Sequence, residues 1–260
     1  MEFFKYHACG NDYIYIDCFE NKIDNPYDLS IKLSDRHFGI GSDGLILILP
    51  SDCADAKMRI FNSDGSEAKM CGNGIRCVSK YLFDKKISKN KMTIDTLSGI
   101  KNVEIVESRG KISQVKVDMG NYSVWKGYKE LDKIIDGSVD PIYVSVGNPH
   151  CVIICDDLNI DIREIGSKIQ KCFNDGINVE FVKINSREDI NVRVFERGSG
   201  ETLACGTGAC ASSIACNYMG LCDKKVNVHL LGGNILVECL EESVFMTGEA
   251  VEIFKGEFYV

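Results

Sequence analysis

The feature that most constrains the fold of this 260-residue sequence is an internal repeat. A shift of 134 residues places Met58-Arg59-Ile60-Phe61 on Val192-Arg193-Val194-Phe195, Glu67 on Glu201, and Cys71-Gly72-Asn73-Gly74 on Cys205-Gly206-Thr207-Gly208. A shift of 137 residues aligns Gly10-Asn11 with Gly147-Asn148, and Gly39-Ile40 with Gly176-Ile177. One difference of three residues in loop length accounts for both shifts. The sequence therefore predicts two pseudo-symmetric lobes of the same fold.

Each lobe has the same pattern of secondary structure. Short β-branched or aromatic runs bounded by Gly, Asn, Asp or Pro, such as residues 13–16, 45–48 and 192–195, predict strands. Residues 74–86 and 208–219, which follow the two Cys-Gly pairs, have helical spacing instead. The second of these is small or apolar on all sides, as expected for a helix enclosed by a sheet. The predicted class is α+β, with each lobe a curled antiparallel barrel around one central helix.

The junction between the lobes is predicted where the sequence becomes polar and irregular, near residues 117–140. Residues 1–117 then form the N-terminal lobe and residues 118–250 the C-terminal lobe. Residues 251–260 are expected to return to the N-terminal lobe.

The charge of the chain limits its partners. A formal net charge of −8 and a pI near 5.1 disfavour binding to nucleic acid or to an anionic membrane. No run approaches the roughly 18 apolar residues that span a bilayer, and the N-terminus does not resemble an export signal. We expect a cytoplasmic protein that acts on a small molecule. The sequence leaves its oligomeric state open, a homodimer included.

Cysteine is abundant, with 13 residues. Their number is odd and the chain is large, which favours reduced thiols over a disulfide framework. The spacings lack the paired Cys-x-x-Cys elements of structural zinc sites, and the four histidines are scattered. The sequence thus predicts no metal site.

The two repeated cysteines, Cys71 and Cys205, precede glycine-rich helix starts. Unpaired backbone N–H groups and the positive end of the helix dipole favour an anion at such a position. A thiol there is expected to lose its proton more easily. The N–H groups of Gly72, Asn73, Gly206 and Thr207 are candidates for binding a carboxylate, because glycine lets a ligand approach the backbone closely.

This pattern is typical of a racemase that uses two bases. Removal of an α-proton beside a carboxylate needs fixed donors to stabilise the developing charge. Inversion also needs an acid on the opposite face, so that one cysteine is a thiolate while the other is a thiol. A helix terminus contributes at most about 2 kcal/mol, and other groups must therefore tune the thiols. The candidates are His150, after Gly147-Asn148-Pro149, and Glu196, in the segment before Cys205.

The motifs around these residues resemble those of diaminopimelate epimerases over nearly the whole chain. They are Asn62-Ser63-Asp64-Gly65-Ser66-Glu67, Met70-Cys71-Gly72-Asn73-Gly74-Ile75-Arg76-Cys77, Gly147-Asn148-Pro149-His150, Glu196-Arg197-Gly198 and Ala204-Cys205-Gly206-Thr207-Gly208. The resemblance implies an isomerase without a cofactor that converts LL-diaminopimelate to the meso form, for lysine and peptidoglycan precursor synthesis. It implies catalysis by Cys71 and Cys205, with ionisation adjusted by His150 and Glu196.

The resemblance also implies the residues that hold the substrate. The reacting carboxylate would lie on Gly72, Asn73, Gly206 and Thr207, and the rest of the substrate would contact Asn11, Asn62, Asn148, Asn178, Glu196 and Arg197. Arg197 suits a distal carboxylate, because its guanidinium can form a bidentate pair. The sequence departs from a common form of the family at Ala8-Cys9, Tyr13 and Gly44, and some members have a substrate-contacting Gln at the last position.

Three alternatives remain open at this stage. The same two cysteines could serve a racemase of another amino acid, such as proline or histidine. A thiol-based redox or metal-sensing protein would also use many cysteines, but it would not exchange α-protons. An enzyme dependent on pyridoxal phosphate is the third, although no feature of the sequence supports it.

Overall fold

The computed structural model describes residues 1–126 and 141–259, and its contacts divide the chain into two compact units. Unit 1 consists of Met1–Asp118 and Gly248–Val260, and unit 2 of Met119–Thr247. The sequence-based domain limits, 1–117 with 251–260 and 118–250, stay a prediction. Much of the predicted junction, residues 127–140, lies outside the described residues.

Unit 1 is built from a ring of strands and two helices. Its elements are β1 (Glu2–Ala8), β2 (Asn11–Asp17), α1 (Pro26–Ser34), β3 (Gly44–Leu49), β4 (Ala56–Asn62), β5 (Glu67–Ala68), α2 (Gly72–Asp84), β6 (Lys91–Thr96), β7 (Gly99–Arg109) and β8 (Ile112–Gly120). The last strand of the chain, β17 (Val244–Glu257), pairs with both β1 and β8. The order β1-β2-β3-β4-β6-β7-β8-β17-β1 is a closed barrel of eight strands.

Unit 2 repeats the same succession of elements. They are β9 (Ser123–Trp125), β10 (Ile142–Ser145), β11 (Pro149–Ile154), α3 (Ile162–Gln170), β12 (Asn178–Ser186), β13 (Asp189–Glu196), β14 (Gly200–Thr202), α4 (Gly206–Tyr218), β15 (Lys225–Leu230) and β16 (Gly233–Cys239). The strands pair in the order β9-β10-β11-β12-β13-β15-β16, and β14 pairs with β13.

The predicted class, α+β with two similar lobes, is confirmed, but the expectation of purely antiparallel sheets is wrong. The pairs β2–β3 and β4–β6 in unit 1, and β11–β12 and β13–β15 in unit 2, are parallel. Parallel neighbours need a crossover connection, usually a helix. One of the four helices lies in each of these connections.

The sequence analysis missed α1 and α3, which lie at equivalent places in the two units. Both have capping signals at their N-termini. The Asn25 side chain accepts from the Asp28 N–H with Pro26 in the first turn, and the Asp161 side chain accepts from the Glu164 N–H. Each packs against one face of its sheet. The apolar clusters include Leu33 with Ile14, Leu45 and Phe61, and Ile169 with Cys151, Val179 and Phe181.

The opposite face of each sheet encloses a central helix, α2 or α4. Successive side chains of a strand point to opposite faces, so that Ile46 and Glu180 lie on the face away from α1 and α3. Both helices have 13 residues, and they begin 134 positions apart, at Gly72 and Gly206. Eleven residues of α2 are buried, from Gly72 to Leu82. The predicted central helix of each lobe is confirmed.

The structure also explains the two shifts of the repeat. The ion pair between Arg59 Nε and Glu67 Oε1, at 2.7 Å, recurs between Arg193 Nη2 and Glu201 Oε1 at 2.7 Å. Strands β3 and β12 begin 134 positions apart, at Gly44 and Asn178. The extra residues of unit 1 are therefore 41–43, between the equivalent of Ile177 and the start of β3.

No helix in the described part of the chain has both the length and the apolar character needed to cross a membrane.

Candidate active site

Cys71 is the N-cap residue of α2, as the sequence predicts. Its backbone is extended, with φ −137° and ψ 117°, and its Sγ accepts from the Gly74 N–H at 3.3 Å. The thiol donates to Asn11 Oδ1 at 3.5 Å. Gly72 and Asn73 form the buried first turn of the helix. Unit 1 thus places Cys71, Asn11 and two carboxylate-binding candidates at one helix start.

The third residue after each cysteine must be glycine because the sheet approaches the helix closely. A Cβ on Gly74 would lie 2.6 Å from Ile46 Cδ1, and a Cβ on Gly208 would lie 2.8 Å from Glu180 Oε1. Such separations are far below van der Waals contact. The glycines of the two motifs therefore serve close packing of the helix start against the strand.

Asp43 orients Asn11, and the sequence analysis missed it. Its Oδ2 accepts from Asn11 Nδ2 at 2.8 Å, and its Oδ1 accepts from Arg36 Nη2 at 3.0 Å. Because a carboxylate holds the amino side of the amide, the carbonyl oxygen of Asn11 is the atom that contacts Cys71. Asp43 belongs to the three extra residues of unit 1, and its place in a segment without a repeat partner was the available signal.

Arg76 is fully buried in α2 and supports the helix start. Its guanidinium donates to Asn73 Oδ1 at 2.8 Å, to the Gly72 carbonyl oxygen at 3.2 Å and to the Glu249 carbonyl oxygen at 3.1 Å. These bonds fix the two residues that are expected to contact the substrate carboxylate. The sequence analysis quoted Arg76 within its motif but gave it no role.

Asn62 and Gly44 occupy neighbouring ends of β4 and β3. The Asn62 side chain donates to Ser66 Oγ at 3.0 Å. A Cβ on Gly44 would overlap the carbonyl oxygen of Phe61. The backbone of this chain therefore has no room for the Gln that some relatives have here, and Gly44 stays outside the candidate site.

Cys205 is the N-cap residue of α4 and is almost completely buried, with 7% exposure. Its Sγ lies 3.4 Å from Thr207 Oγ1. Burial raises the pKa of Cys205 well above its ordinary value, with further increases from Glu196 and Glu180, while hydrogen bonds from Thr207 and the Gly208 N–H act in the lowering direction. This direction is opposite to the one expected from the helix start, because desolvation of a thiolate outweighs the dipole.

Glu196 lies next to Cys205 at the end of β13. Its Oε1 accepts from Thr202 Oγ1 at 2.5 Å, and it also accepts a hydrogen bond from Cys205. Burial raises the pKa of Glu196, while these two hydrogen bonds act in the lowering direction. A carboxyl group of raised pKa beside a buried thiol is suited to take the thiol proton.

His150 is also buried, and it reaches Cys205 through other side chains. His150 Nε2 lies 3.1 Å from Asn148 Oδ1, and Asn148 Nδ2 donates to Thr207 Oγ1 at 3.3 Å. On its other side, His150 Nδ1 lies 2.6 Å from Glu180 Oε1. The sequence analysis missed Glu180. A charged residue inside the apolar strand β12 was the signal that could have revealed it.

Asn178 and Arg197 lie together beside this network. Asn178 Oδ1 accepts from the Arg197 N–H at 3.0 Å, and its Nδ2 donates to the Pro149 carbonyl oxygen at 3.1 Å. Arg197 Nη1 donates to the Asp175 carbonyl oxygen at 3.1 Å. Unit 2 therefore gathers all its site candidates around the start of α4, which are Cys205, Gly206, Thr207, Asn148, His150, Asn178, Glu196 and Arg197.

Comparisons with known proteins agree over the full length of the chain. The profile of the family described as diaminopimelate epimerase matches residues 3–125 and 142–253. Relatives named diaminopimelate epimerase from Agathobacter rectalis and Acetivibrio thermocellus are 47% and 49% identical. Each match covers 99% of this chain, and 99% and 98% of the relatives. A third relative of the same name, from Methanococcus maripaludis, is 48% identical, with 99% of each chain covered.

Solved structures share the fold at low identity. A phenazine biosynthesis protein of the PhzF family from Bacillus anthracis has a TM-score of 0.76 at 18% identity, covering 100% of this chain and 99% of that one. A hydroxyproline epimerase from Agrobacterium vitis has a TM-score of 0.68 at 15% identity, covering 98% and 90%. These likenesses concern architecture alone. Since the family profile and the relatives span nearly every residue, the chain belongs to the diaminopimelate epimerase family.

Proposed function

We propose that this protein is an isomerase that interconverts LL- and meso-diaminopimelate without a cofactor, using Cys71 and Cys205 as its two bases. The observation that carries the proposal is the duplicated helix start, in which a cysteine caps α2 in unit 1 and α4 in unit 2. Its setting is the cytoplasmic synthesis of lysine and of peptidoglycan precursors.

The reaction moves one proton across one α-carbon. In one direction a Cys71 thiolate takes the α-proton, and the electron pair of the C–H bond passes to the carbon and its carboxylate. The Cys205 thiol then gives its proton to the opposite face, which leaves a Cys71 thiol and a Cys205 thiolate. The return direction exchanges these roles. The backbone N–H groups of Gly72, Asn73, Gly206 and Thr207 stabilise the charge that develops on the carboxylate.

The two thiols must change protonation state in each turnover, and buried Cys205 needs help to do so. Its pKa is raised mainly by burial, so that the thiol is its favoured form. Glu196 accepts a hydrogen bond from the thiol and is the group that takes this proton when Cys205 is to act as a base. His150, linked to Cys205 through Asn148 and Thr207, is the second tuning group.

The far end of diaminopimelate carries a second carboxylate and a second ammonium group. Arg197 is the cation for the carboxylate, and its position is fixed through Asn178. Asn11, Asn62, Asn148, Asn178 and Glu196 offer amide and carboxylate oxygens that accept from ammonium groups. A substrate without the distal carboxylate would leave Arg197 unused.

A substrate panel in deuterated water tests the proposal. LL-diaminopimelate is incubated with the enzyme beside proline, hydroxyproline, histidine and glutamate, and each α-carbon is followed by NMR. We expect deuterium at the inverted α-carbon of diaminopimelate only, with the other centre unlabelled. Exchange on one of the other amino acids and none on diaminopimelate would replace the substrate. No exchange on any of them would reject α-proton chemistry.

A further inference from the structure

The buried pair of Glu180 and His150 has a role that the reaction scheme above leaves open. Both side chains are fully buried, and Glu180 Oε1 lies 2.6 Å from His150 Nδ1. Glu180 Oε2 has no hydrogen-bond partner within the described part of the chain. A buried carboxylate is costly unless a cation and hydrogen bonds offset its desolvation. This cost favours a positive charge on the neighbouring imidazole.

From His150 a continuous series of polar contacts leads to the sulfur of Cys205. His150 Nε2 faces Asn148 Oδ1 at 3.1 Å, Asn148 Nδ2 faces Thr207 Oγ1 at 3.3 Å, and Thr207 Oγ1 faces Cys205 Sγ at 3.4 Å. Because Asn148 Oδ1 can only accept, the contact at Nε2 requires a proton on that nitrogen. The contact between Nδ1 and Glu180 places a second proton on the ring. The geometry is therefore that of an imidazolium.

The protonation state of His150 decides which way the Thr207 hydroxyl points. With both ring nitrogens protonated, the Asn148 amino group donates to Thr207, whose own hydrogen is then free to donate to the Cys205 sulfur. With an unprotonated Nε2, the Asn148 amide must turn over to donate to the ring, and its oxygen then takes the hydrogen of Thr207. The first arrangement stabilises a thiolate and the second does not.

We propose that Glu180 is a positioning residue that holds His150 as an imidazolium, and thereby directs the Thr207 hydroxyl toward the thiolate form of Cys205. This inference rests on the proposed function, in which Cys205 alternates between thiol and thiolate. The other ionisable groups that face Cys205 are Glu196, at the end of β13, and Glu180 itself, and both are acidic. The imidazolium offsets that negative charge when the thiolate forms.

The repeat shows that the pair belongs to one lobe alone. By the shifts of 137 and 134 residues, the counterparts of His150 and Glu180 in unit 1 are Tyr13 and Ile46. Their strands have the same register, since Tyr13 pairs with Gly44 in unit 1 and His150 pairs with Asn178 in unit 2. Room for the carboxylate is provided by Gly208, where a Cβ would overlap Glu180 Oε1.

The experiment compares Glu180→Gln with Glu201→Gln in the full-length protein. Glu201 is a matched control, because it also lies in unit 2 and pairs with Arg193 away from Cys205. The state of the His150 ring is read from ¹⁵N chemical shifts at neutral pH, in protein without substrate. We expect two protonated ring nitrogens in the wild type and in Glu201→Gln, and one in Glu180→Gln. A neutral His150 in the wild type, or an unchanged ring in Glu180→Gln, would overturn the proposal.

Kinetics supply the second readout. Hydrogen bonds to charged groups are worth enough that we expect kcat of Glu180→Gln to fall about ten- to a hundredfold, with KM changed less than about threefold. Thr207→Val should cost as much, and the double variant should cost no more than either single one, because all three break the same series of contacts. Additive losses would contradict the linkage. Since the ring is observed without substrate, its state is decided even if diaminopimelate is not the substrate.

Discussion

The two units share a helix start and differ in what supports it. In unit 1 the helix behind Cys71 contains Arg76, a buried cation that holds Gly72 and Asn73. The equivalent position in unit 2 is Cys210, and the support comes instead from the sheet, through His150 and Glu180. Duplication thus preserved the reactive cysteine and the glycines, while the surrounding charge was arranged in two different ways.

This difference is one between a permanent and a titratable cation. An arginine stays protonated at every pH at which the protein is folded, whereas a histidine changes its charge near neutrality unless a partner holds it. Unit 1 therefore supports its helix start in the same way at every pH, and unit 2 requires Glu180 for the same constancy. A two-base reaction needs both thiols to ionise, but it does not need them to be tuned by the same groups.

The largest effect is expected when either cysteine is replaced, because each unit must supply one base. Cys71→Ser and Cys205→Ser should each lower kcat for epimerisation by at least about a thousandfold, since a serine hydroxyl is a far weaker acid than a thiol. Cys77→Ala and Cys210→Ala, buried in the same two helices, are the controls and should keep kcat within about threefold. Retention of activity in either serine variant would mean that the units are not equal partners.

Arg76→Met tests the permanent cation of unit 1. It removes the donor to three oxygen atoms, and we expect the free energy of unfolding to fall by about 2–4 kcal/mol. Cys210→Ala changes the equivalent position in unit 2 and should cost about 1 kcal/mol. Urea unfolding of the two variants measures both values. Equal losses would show that position 76 contributes packing alone.

Glu196→Gln tests the proton acceptor of Cys205, which has no charged counterpart in unit 1, where Asn62 is equivalent. The change should lower kcat about ten- to a hundredfold. The pKa of Glu196 is raised in the folded protein, mainly by burial. The stability contributed by its protonated form is therefore present at low pH and lost as the pH rises through that raised pKa.

The glutamine variant lacks this loss. Relative to the wild type, Glu196→Gln should therefore become more stable between acidic and neutral pH, which urea midpoints at both pH values measure. A stability difference that stays constant across this range would show that Glu196 does not titrate there.

The smallest effect is expected at the ion pairs that the two units share. Arg59→Gln breaks a half-exposed pair with Glu67 and should cost about 0.5–1 kcal/mol. Arg193→Gln should cost more, about 1–2 kcal/mol, because Arg193 also donates to the Leu158 carbonyl oxygen at 2.6 Å. Thermal unfolding of the two variants compares them. A larger loss at Arg59 would mean that the repeat hides a different core contact in unit 1.

Much of the fold and of the site could be predicted because the repeat carries the information twice. The central helices, the N-cap position of both cysteines and the equivalence of the units follow from pairs of matching motifs. The crossover helices α1 and α3 were missed because each is only nine residues long. Without them, the parallel pairings could not be foreseen, since strand direction depends on the connection between strands.

The groups behind the site were beyond the reach of the sequence for another reason. Glu180, Arg76 and Asp43 are charged residues that surface positions usually hold, and only the tertiary structure shows that the first two are buried. The predicted ease of ionisation of Cys205 failed for the same cause. Helix starts can be recognised from a motif, whereas desolvation depends on every element packed around the sulfur.

The pairing of β1 with β17 has a consequence for how the chain matures on the ribosome. Glu2 pairs with Glu257, so that the first strand to be synthesised waits for the last one. Unit 2 is continuous from Met119 to Thr247, whereas unit 1 takes residues from both sides of it. Contacts between such distant residues form slowly and leave strand edges exposed meanwhile. The second lobe can therefore fold during translation, while the barrel of the first closes only after release.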